Sequence, residues 1–348
     1  MPVDAVRKFL HGRYRVEEYP ALNRQFLDWQ RTRPLAGKKI LDGTPVFANT
    51  LLKYINLLVG GADLTVGYCD SIPYDKTVVD FLQSIGVKCV YNCSAVGAFD
   101  VILDCNAVYR NLLPRYGFAE LTRSGAYHFA KVDAAVVNVD DSCIKAIETC
   151  LGTGEGFLRA MRQLNLELKG RKVVVMGCGK VGRGVVFYAF RAGAEVVAFD
   201  DPAVVQKCVG GKLLSCFDRD RVCAELQRAD VVVSATGKAL ALADDSYIKL
   251  LLEGSQIVVN MGVEDEWGPA LPPQRVLNGK APLNFILDEP TLLRYIDPTM
   301  ALHNHAALEL LLDSGSGVRR ISDNVHDFYW QEVVNNGVIA SELAAAEL

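Results

Sequence analysis

The run Val173-Val174-Val175-Met176-Gly177-Cys178-Gly179-Lys180-Val181-Gly182 sets three glycines in a G-x-G-x-x-G spacing between an apolar, strand-like segment and one of helical period. That arrangement suits phosphate chemistry. Gly177 permits a tight turn, Gly179 lets the backbone approach a pyrophosphate, and Gly182 lets helix and strand pack closely. The helix N-terminus, reached through Cys178, Lys180 and Val181, offers N–H donors and the positive end of a dipole. The next strand-like run ends at Asp200, 18 residues beyond Gly182, where a carboxylate accepts from both hydroxyls of a ribose and repels a 2′-phosphate. The pattern predicts NAD rather than NADP. Asp201 is an alternative reader, and a turn-capping acid before Pro202 is the plain alternative. Two more strand ends, Ser234-Ala235-Thr236-Gly237 and Asn260-Met261-Gly262, fall at the face where such sheets take ligands, so Ala235, Thr236, Gly237, Asn260 and Gly262 are expected along the nicotinamide half.

Acid–base chemistry has fewer carriers, because the chain holds only five histidines. His303 and His305 lie two residues apart in a helical stretch, on different faces, so they are not a shared metal site; either is a candidate acid or base. Lys145 follows a strand end, with Glu148 one turn on. A lysine desolvated in a cleft loses pKa and can act as a base, whereas a surface Lys–Glu pair contributes a few tenths of a kcal/mol. Asp104 and Glu120 end apolar runs and are read either as cleft-facing acids or as solvated strand-end acids. The ten cysteines, Cys93 among them, are scattered without a C-x-x-C; they read as buried reduced thiols, and no metal site is expected.

The elements that must position these groups alternate. Residues 39–41, 64–66, 88–91, 101–103 and 135–137 read as strands, with helical periods at 49–59 and 77–85 between them. A second alternation follows at 172–176, 196–199, 231–233 and 257–259. The reading is α/β with two domains, a Rossmann-type NAD-binding domain and a smaller α/β substrate domain. The boundaries are 1–165 for the substrate domain, 166–298 for the NAD domain and 299–348 for a C-terminal helical segment. That last segment returns to the substrate domain or forms an oligomer interface, and comprises a helix at 300–312, a breaker at 314–317 and a final helix at 325–343.

Half of the residues are hydrophobic, 22% are charged, and the net charge is -4 without long runs of either sign. An electrostatic grip on nucleic acid and a disordered chain are therefore poorly supported. No stretch has the length of a membrane span and the first residues lack a signal-like apolar core, so a cytoplasmic protein acting on a small molecule, self-associated as a dimer, is expected.

With these residues in view, the chain resembles the S-adenosylhomocysteine hydrolase family over roughly residues 40–310. The resemblance rests on Val137-Asn138-Val139-Asp140-Asp141-Ser142-Cys143-Ile144-Lys145, the stretch 151–182, Gly193-Ala194-Glu195, the block 229–237 and Asn260-Met261-Gly262. Leu103-Asp104 and Glu120-Leu121-Thr122-Arg123-Ser124-Gly125 add to it. It implies tightly held NAD that takes a hydride from a substrate hydroxyl and later returns it, with Lys145 at the active-site lysine. It also implies a rewritten pocket. Pro45 and Val263 stand at family histidines, Thr149 and Cys150 at an Asp and an Asn, Leu121 and Cys105 at carboxylates, and the family's C-terminal Lys/Tyr tail is absent. The resulting expectation is an NAD-dependent enzyme using transient or net hydride transfer on a small alcohol or amine. The alternatives are an authentic adenosylhomocysteinase and a non-catalytic NAD-binding regulator.

Overall fold

The computed structural model describes residues 2–92 and 98–348, so Cys93 lies outside the described residues. The chain divides into two compact units, Met1–Lys145 with Leu292–Ser341, and Ala146–Thr291 with Glu342–Leu348. The first opens with α1 (Pro2–Phe9) and α2 (Pro20–Thr32). It continues through β1 (Lys39–Asp42), α3 (Thr50–Val59), β2 (Asp63–Tyr68), α4 (Lys76–Ser84), β3 (Lys88–Tyr91), β4 (Val101–Asp104), β5 (Gly117–Glu120), α5 (Arg123–Phe129) and β6 (Ala135–Asn138), to the short α6 (Ile144–Ala146). A π-helical stretch, Ile147–Gly152, starts the second unit. There follow α7 (Thr153–Gln163), β7 (Lys172–Met176), α8 (Lys180–Arg191), β8 (Glu195–Asp200), β9 (Lys212–Ser215), α9 (Arg219–Arg228), β10 (Val231–Ser234), α10 (Asp245–Glu253) and β11 (Ile257–Asn260). The remaining elements are α11 (Leu293–Leu312), β12 (Gly317–Arg320), α12 (Asp323–Asn336) and α13 (Ala340–Ala345).

Both sheets are parallel. The first runs β12-β6-β5-β4-β1-β2-β3 and the second β11-β10-β7-β8-β9. Their central strands are buried on both faces, which is why they read as continuous apolar runs rather than as alternation. Each strand order reverses once, between β1 and β4 in the first sheet and between β7 and β10 in the second. Doubly wound sheets take ligands outside the carboxyl ends of the strands at such a reversal. In the first unit Leu41, Ile102, Phe118, Phe129 and Val136 pack together; in the second, Val174, Val197, Phe199, Leu226, Val232 and Trp267 do.

Several sequence expectations are displaced. The break expected at residue 165 falls just past α7, a helix that belongs with the second unit, and that unit begins at Ala146. The first unit, expected to be the smaller, carries seven strands against five. β9 and β12 were not anticipated, and β5 was marked only by Glu120 at the end of an apolar run; the supposed breaker at 314–317 leads into β12, which pairs with β6 at the sheet edge. The final helix is two, separated at Gly337, whose N–H closes α12 on the Val333 carbonyl. Among the described residues no helix is long and apolar enough to cross a membrane.

One buried acid ties the returning segment to the start of the chain. Asp297 in α11 accepts from the N–H groups of Ala21 and Leu22, at 3.0 and 2.8 Å, satisfying the first turn of α2. Burial pushes its carboxyl up to about 8, the two N–H donors working against that shift and Glu332 adding to it. A carboxyl whose folded pKa lies above its unfolded value stabilises the fold below the unfolded pKa and loses that contribution as pH rises through the folded one. This group should therefore cost up to about 1.4 kcal/mol per pH unit between about pH 4 and 8. Asp297→Asn should flatten that part of the stability profile in denaturant titrations across the same range; an unchanged slope would show that Asp297 is ionised in the fold.

Candidate functional site

In the second unit the glycine turn follows β7 at the strand-order reversal. Gly177 sits at φ +96°, a left-handed conformation that favours glycine. A β-carbon on Gly182 would stand 2.0 Å from the Gly177 carbonyl oxygen, so α8 starts against the turn itself. Gly179 is the opposite case: a β-carbon there meets nothing within 4 Å. The space above the turn is open, and α8 has no side-chain cap at its N-terminus. Room, backbone donors and an uncapped helix dipole are what a pyrophosphate requires. Asp200 ends β8 beside the turn and accepts from the N–H of Cys178 at 2.5 Å and of Asp201 at 2.7 Å. It braces the turn while staying partly exposed. Asp201 accepts from Ala203 N–H at 2.8 Å, which gives it the turn-capping part.

The residues expected along the nicotinamide half are engaged by the protein. Glu266, fully buried and not signalled by the motif reading, accepts from the N–H groups of Thr236 and Gly237 at 2.9 and 2.8 Å. Burial raises its carboxyl, and those donors oppose the rise. A β-carbon on Gly262 would stand 2.3 Å from the same carboxylate. Asn260 accepts from Ser234 and Gly262 and donates to the carbonyls of Gly262, Glu264 and Lys280, fastening β10 and β11 to the loop beyond. Ala235 walls the turn, its N–H bonded to the Met176 carbonyl.

In the first unit the carboxyl ends of β1, β4, β5 and β6 bring Asp42, Asp104, Glu120 and Asn138 to one edge, with Asp42 and Asp104 on the two strands of the reversal. Asp42 forms an ion pair with Lys53 of α3, both side chains fully buried, and also accepts from Thr44 N–H at 2.9 Å. Burial alone would raise the Asp42 carboxyl, but Lys53, His303 and the hydrogen bonds from Lys53 and Thr44 hold it lowered. The Lys53 ammonium is itself lowered by burial, against the pull of Asp42. His303 of α11 lies in the same cluster, with Nε2 3.0 Å from the Ala119 carbonyl oxygen and Nδ1 3.4 Å from the Thr44 hydroxyl. A carbonyl only accepts, so Nε2 carries the proton and Nδ1 is left to accept. Burial first, then the Lys53 charge, bring this imidazole down to about 3, with Lys145 contributing in the same direction. His303 is therefore neutral at pH 7.

Lys145 is buried, 4% exposed, which removes the surface-pair alternative. It enters α6 from a turn held by its own side chains: Asn138 accepts from Asp140 N–H and donates to Asp141, and Ser142 Oγ accepts from Ile144 N–H. Asp104 and Glu120 are also buried, so the solvated alternative fails for both. Asp104 accepts from the N–H groups of Cys105 and Tyr109. Glu120 accepts from those of Asn106, Ala107 and Thr122 and from the Thr122 hydroxyl. Together they fold a loop in which Asn106 and Ala107 are left-handed. Burial raises both carboxyls, and the neighbouring Glu120 raises Asp104 further. His305 points elsewhere, its Nδ1 3.2 Å from the Tyr329 hydroxyl, in a groove with Trp29 and Phe328. Asp42, Thr44 and Lys53 escaped the sequence reading because a lysine in an amphipathic helix looks like a surface residue until its partner is known.

No protein-family model matches the chain. Over 67% of its length it is 26% identical to an S-inosyl-L-homocysteine hydrolase of Methanosarcina mazei, covering 63% of that protein. Over 70% of its length it is 24% identical to an adenosylhomocysteinase of Thermotoga maritima, covering 66%. The chain thus spans less than two thirds of the length of these relatives, and the resemblance read from its motifs is one of distant homology. Among solved structures, one of the subunits of the dipicolinate synthase of Bacillus halodurans is similar in fold, with a TM-score of 0.52 at 14% identity over 80% of this chain and 100% of that one.

Two measurements probe the first unit's cluster. Replacing Lys53 with Met leaves Asp42 buried without its cation and should lower stability by about 3–5 kcal/mol in chemical denaturation; a loss below about 1 kcal/mol would contradict a desolvated pair. The His303 ring resonances should stay flat from about pH 5 to 8, given a midpoint of about 3; a midpoint inside that window would show the ring open to protonation.

Proposed function

We propose that the chain is an NAD-dependent enzyme related to adenosylhomocysteinases, with the second unit holding the dinucleotide and the carboxyl edge of the first holding a small polar substrate bearing an alcohol or amine. The observation that carries this reading is the open face of Gly179 above an uncapped helix N-terminus, with Gly182 seated 2.0 Å from the Gly177 carbonyl. Bound NAD would supply a hydride acceptor, for transient or net transfer. Gly177 to Gly182 would hold its pyrophosphate, and Asp200 would accept from the adenosine ribose with the lone pairs left beside its two backbone bonds. Asp200 also repels a 2′-phosphate, so NAD is favoured over NADP. Lys145, buried and within electrostatic reach of a neutral His303, would orient a substrate oxygen and take its proton.

Hydrolysis of S-adenosylhomocysteine itself fits poorly. Pro45 and Val263 cannot move protons, Leu121 and Cys105 cannot fix ribose hydroxyls as carboxylates do, and a site lacking those partners forfeits the binding of each buried hydroxyl. A second reading, a regulator that binds NAD without chemistry, draws on one observation: Asp104, Glu120 and His303 give their polar atoms largely to the protein's own backbone.

Calorimetry should find NAD bound well ahead of NADP. Asp200→Ala, which removes charge-assisted hydrogen bonds, should weaken NAD by roughly ten- to a hundredfold and narrow the gap between the cofactors. Equal affinities in the unmodified protein would overturn the role given to Asp200. Turnover of adenosine with homocysteine should be absent. Hydride transfer across small hydroxy and amino compounds, followed by nicotinamide absorbance, should be lost in Lys145→Met with NAD affinity intact. Family-like nucleoside turnover would overturn the rewritten pocket, and an absorbance unmoved by every substrate would favour the regulator.

A further inference from the structure

Nine cysteines lie among the described residues, all of them free, and three gather in the second unit around one arginine. A cavity of about 80 Å³ is lined by Cys150, Arg183, Phe187, Lys207, Cys208 and Glu347. Cys208, on the loop after β8, is partly exposed and opens onto it. Its thiol shares a side-chain hydrogen bond with that of Cys178, the residue between the first two glycines of the turn, which is fully buried. Arg183, in the first turn of α8, lies within electrostatic reach of both Cys150 and Cys178. Lys207 adds a second cation at the rim, bonded to Glu347 at 2.5 Å.

We propose that Cys208 and Cys178 form a peroxide-responsive thiol pair, in which Cys208 meets the oxidant and Cys178 closes a disulfide onto the glycine turn. Accessibility assigns the two parts: an oxidant entering the cavity reaches Cys208, not Cys178. The cavity, about 80 Å³, admits a few water-sized molecules and so hydrogen peroxide. The hydrogen bond with Cys178 lowers the Cys208 thiol against the effect of burial, and a bond to the Gly211 backbone adds to the lowering. The same bond is the largest cause holding Cys178 protonated. Oxidation of the Cys208 sulfur removes that cause, while Arg183 continues to favour the Cys178 thiolate against burial. Burial pushes the Cys150 thiol up to about 11, against the pull of Arg183.

The steps balance. The Cys208 thiolate attacks one peroxide oxygen, the O–O bond breaks, hydroxide leaves, and the sulfur becomes a sulfenic acid. The Cys178 sulfur then attacks the Cys208 sulfur, the S–O bond breaks, and the hydroxyl departs as water with the Cys178 proton. In sum, two thiols and one peroxide give one disulfide and two waters. The disulfide would pin the residue whose N–H is bonded to Asp200. Any loss of NAD affinity rests on the function proposed above, but the oxidation chemistry does not.

The test is peroxide treatment of the reduced full-length protein, followed by thiol alkylation, digestion without reductant and mass spectrometry. The expected result is a linked peptide pair containing Cys178 and Cys208, two hydrogens lighter than the separate peptides, with both thiols lost to alkylation. Cys208→Ser should leave Cys178 alkylatable, and Cys178→Ser should halt at a dimedone-trappable sulfenic acid on Cys208. Cross-linking of Cys208 to Cys150 instead would overturn the pairing. So would oxidation of Cys208 beyond the sulfenic state in the unmodified protein with Cys178 still alkylatable.

Discussion

A β-carbon on Gly182 would lie 2.0 Å from the Gly177 carbonyl oxygen, and this close approach of helix to turn governs the layout of the second unit. It sets the first turn of α8 directly on the end of β7, at the point where the strand order reverses. Two residues on, Gly184 repeats the constraint on the other side of the helix: a β-carbon there would stand 1.9 Å from the Cys150 carbonyl, in the π-helical stretch before α7. α8 is therefore clamped between its own strand and the preceding helix by residues with no side chain. The clamp leaves the helix N-terminus uncapped and keeps open the space above Gly179.

Parallel sheets buried on both faces concentrate polar chemistry at their carboxyl ends, and in this protein most of that polarity is engaged in building loops. Asp104 and Glu120 collect backbone N–H groups into a loop with left-handed residues. Glu266 does the same for Thr236 and Gly237, and Asp200 for Cys178. A buried carboxylate with two or three N–H donors is stabilised locally, which lets short, tight connections survive without solvent. Gly125, part of the segment that carries the family resemblance, shows the packing side of the same device: a β-carbon there would stand 2.2 Å from the Glu120 carboxyl carbon. Some of what resembles a family's functional motif is thus the shell needed to bury an acid.

What could be read from the sequence follows these physical lines. The glycine turn, its flanking strands and Asp200 were legible because each needs a particular residue type at a fixed spacing. The buried central strands were legible as uninterrupted apolar runs. β12, Gly317-Val318-Arg319-Arg320, was not, since an edge strand with exposed arginines has neither apolar continuity nor strict alternation. β9 is only half-buried and hides for the same reason. α1 and α2 precede the first strand read from the sequence and carry no apolar run, although α2 buries Leu22, Phe26 and Trp29 and receives Asp297 from α11, 275 residues away. Lys53 and Asp42 are 11 residues apart, yet nothing in their local sequence says that both side chains end at zero exposure. Pairings made through tertiary structure leave no local pattern.

The chemistry open to the first unit is narrowed by these commitments. His303, with Nε2 on a backbone carbonyl and two lysines opposing its protonation, can accept a hydrogen bond but cannot act as an acid near neutrality. The lone pairs of Asp104 and Glu120 go largely to backbone donors, and opening them to a substrate would undo the loop they hold. Asp42 is bound to Lys53 inside the protein. The buried ammonium of Lys145 enters from a self-bonded turn at the end of β6, in the same electrostatic neighbourhood as that pair. In the function proposed above, Lys145 would take a proton from a substrate hydroxyl or ammonium group, a task that needs one basic group and not a full set of carboxylates and imidazoles. On that proposal, Pro45, Leu121, Cys105 and Val263, which stand where the resemblance puts family histidines and carboxylates, suit a substrate smaller than a nucleoside.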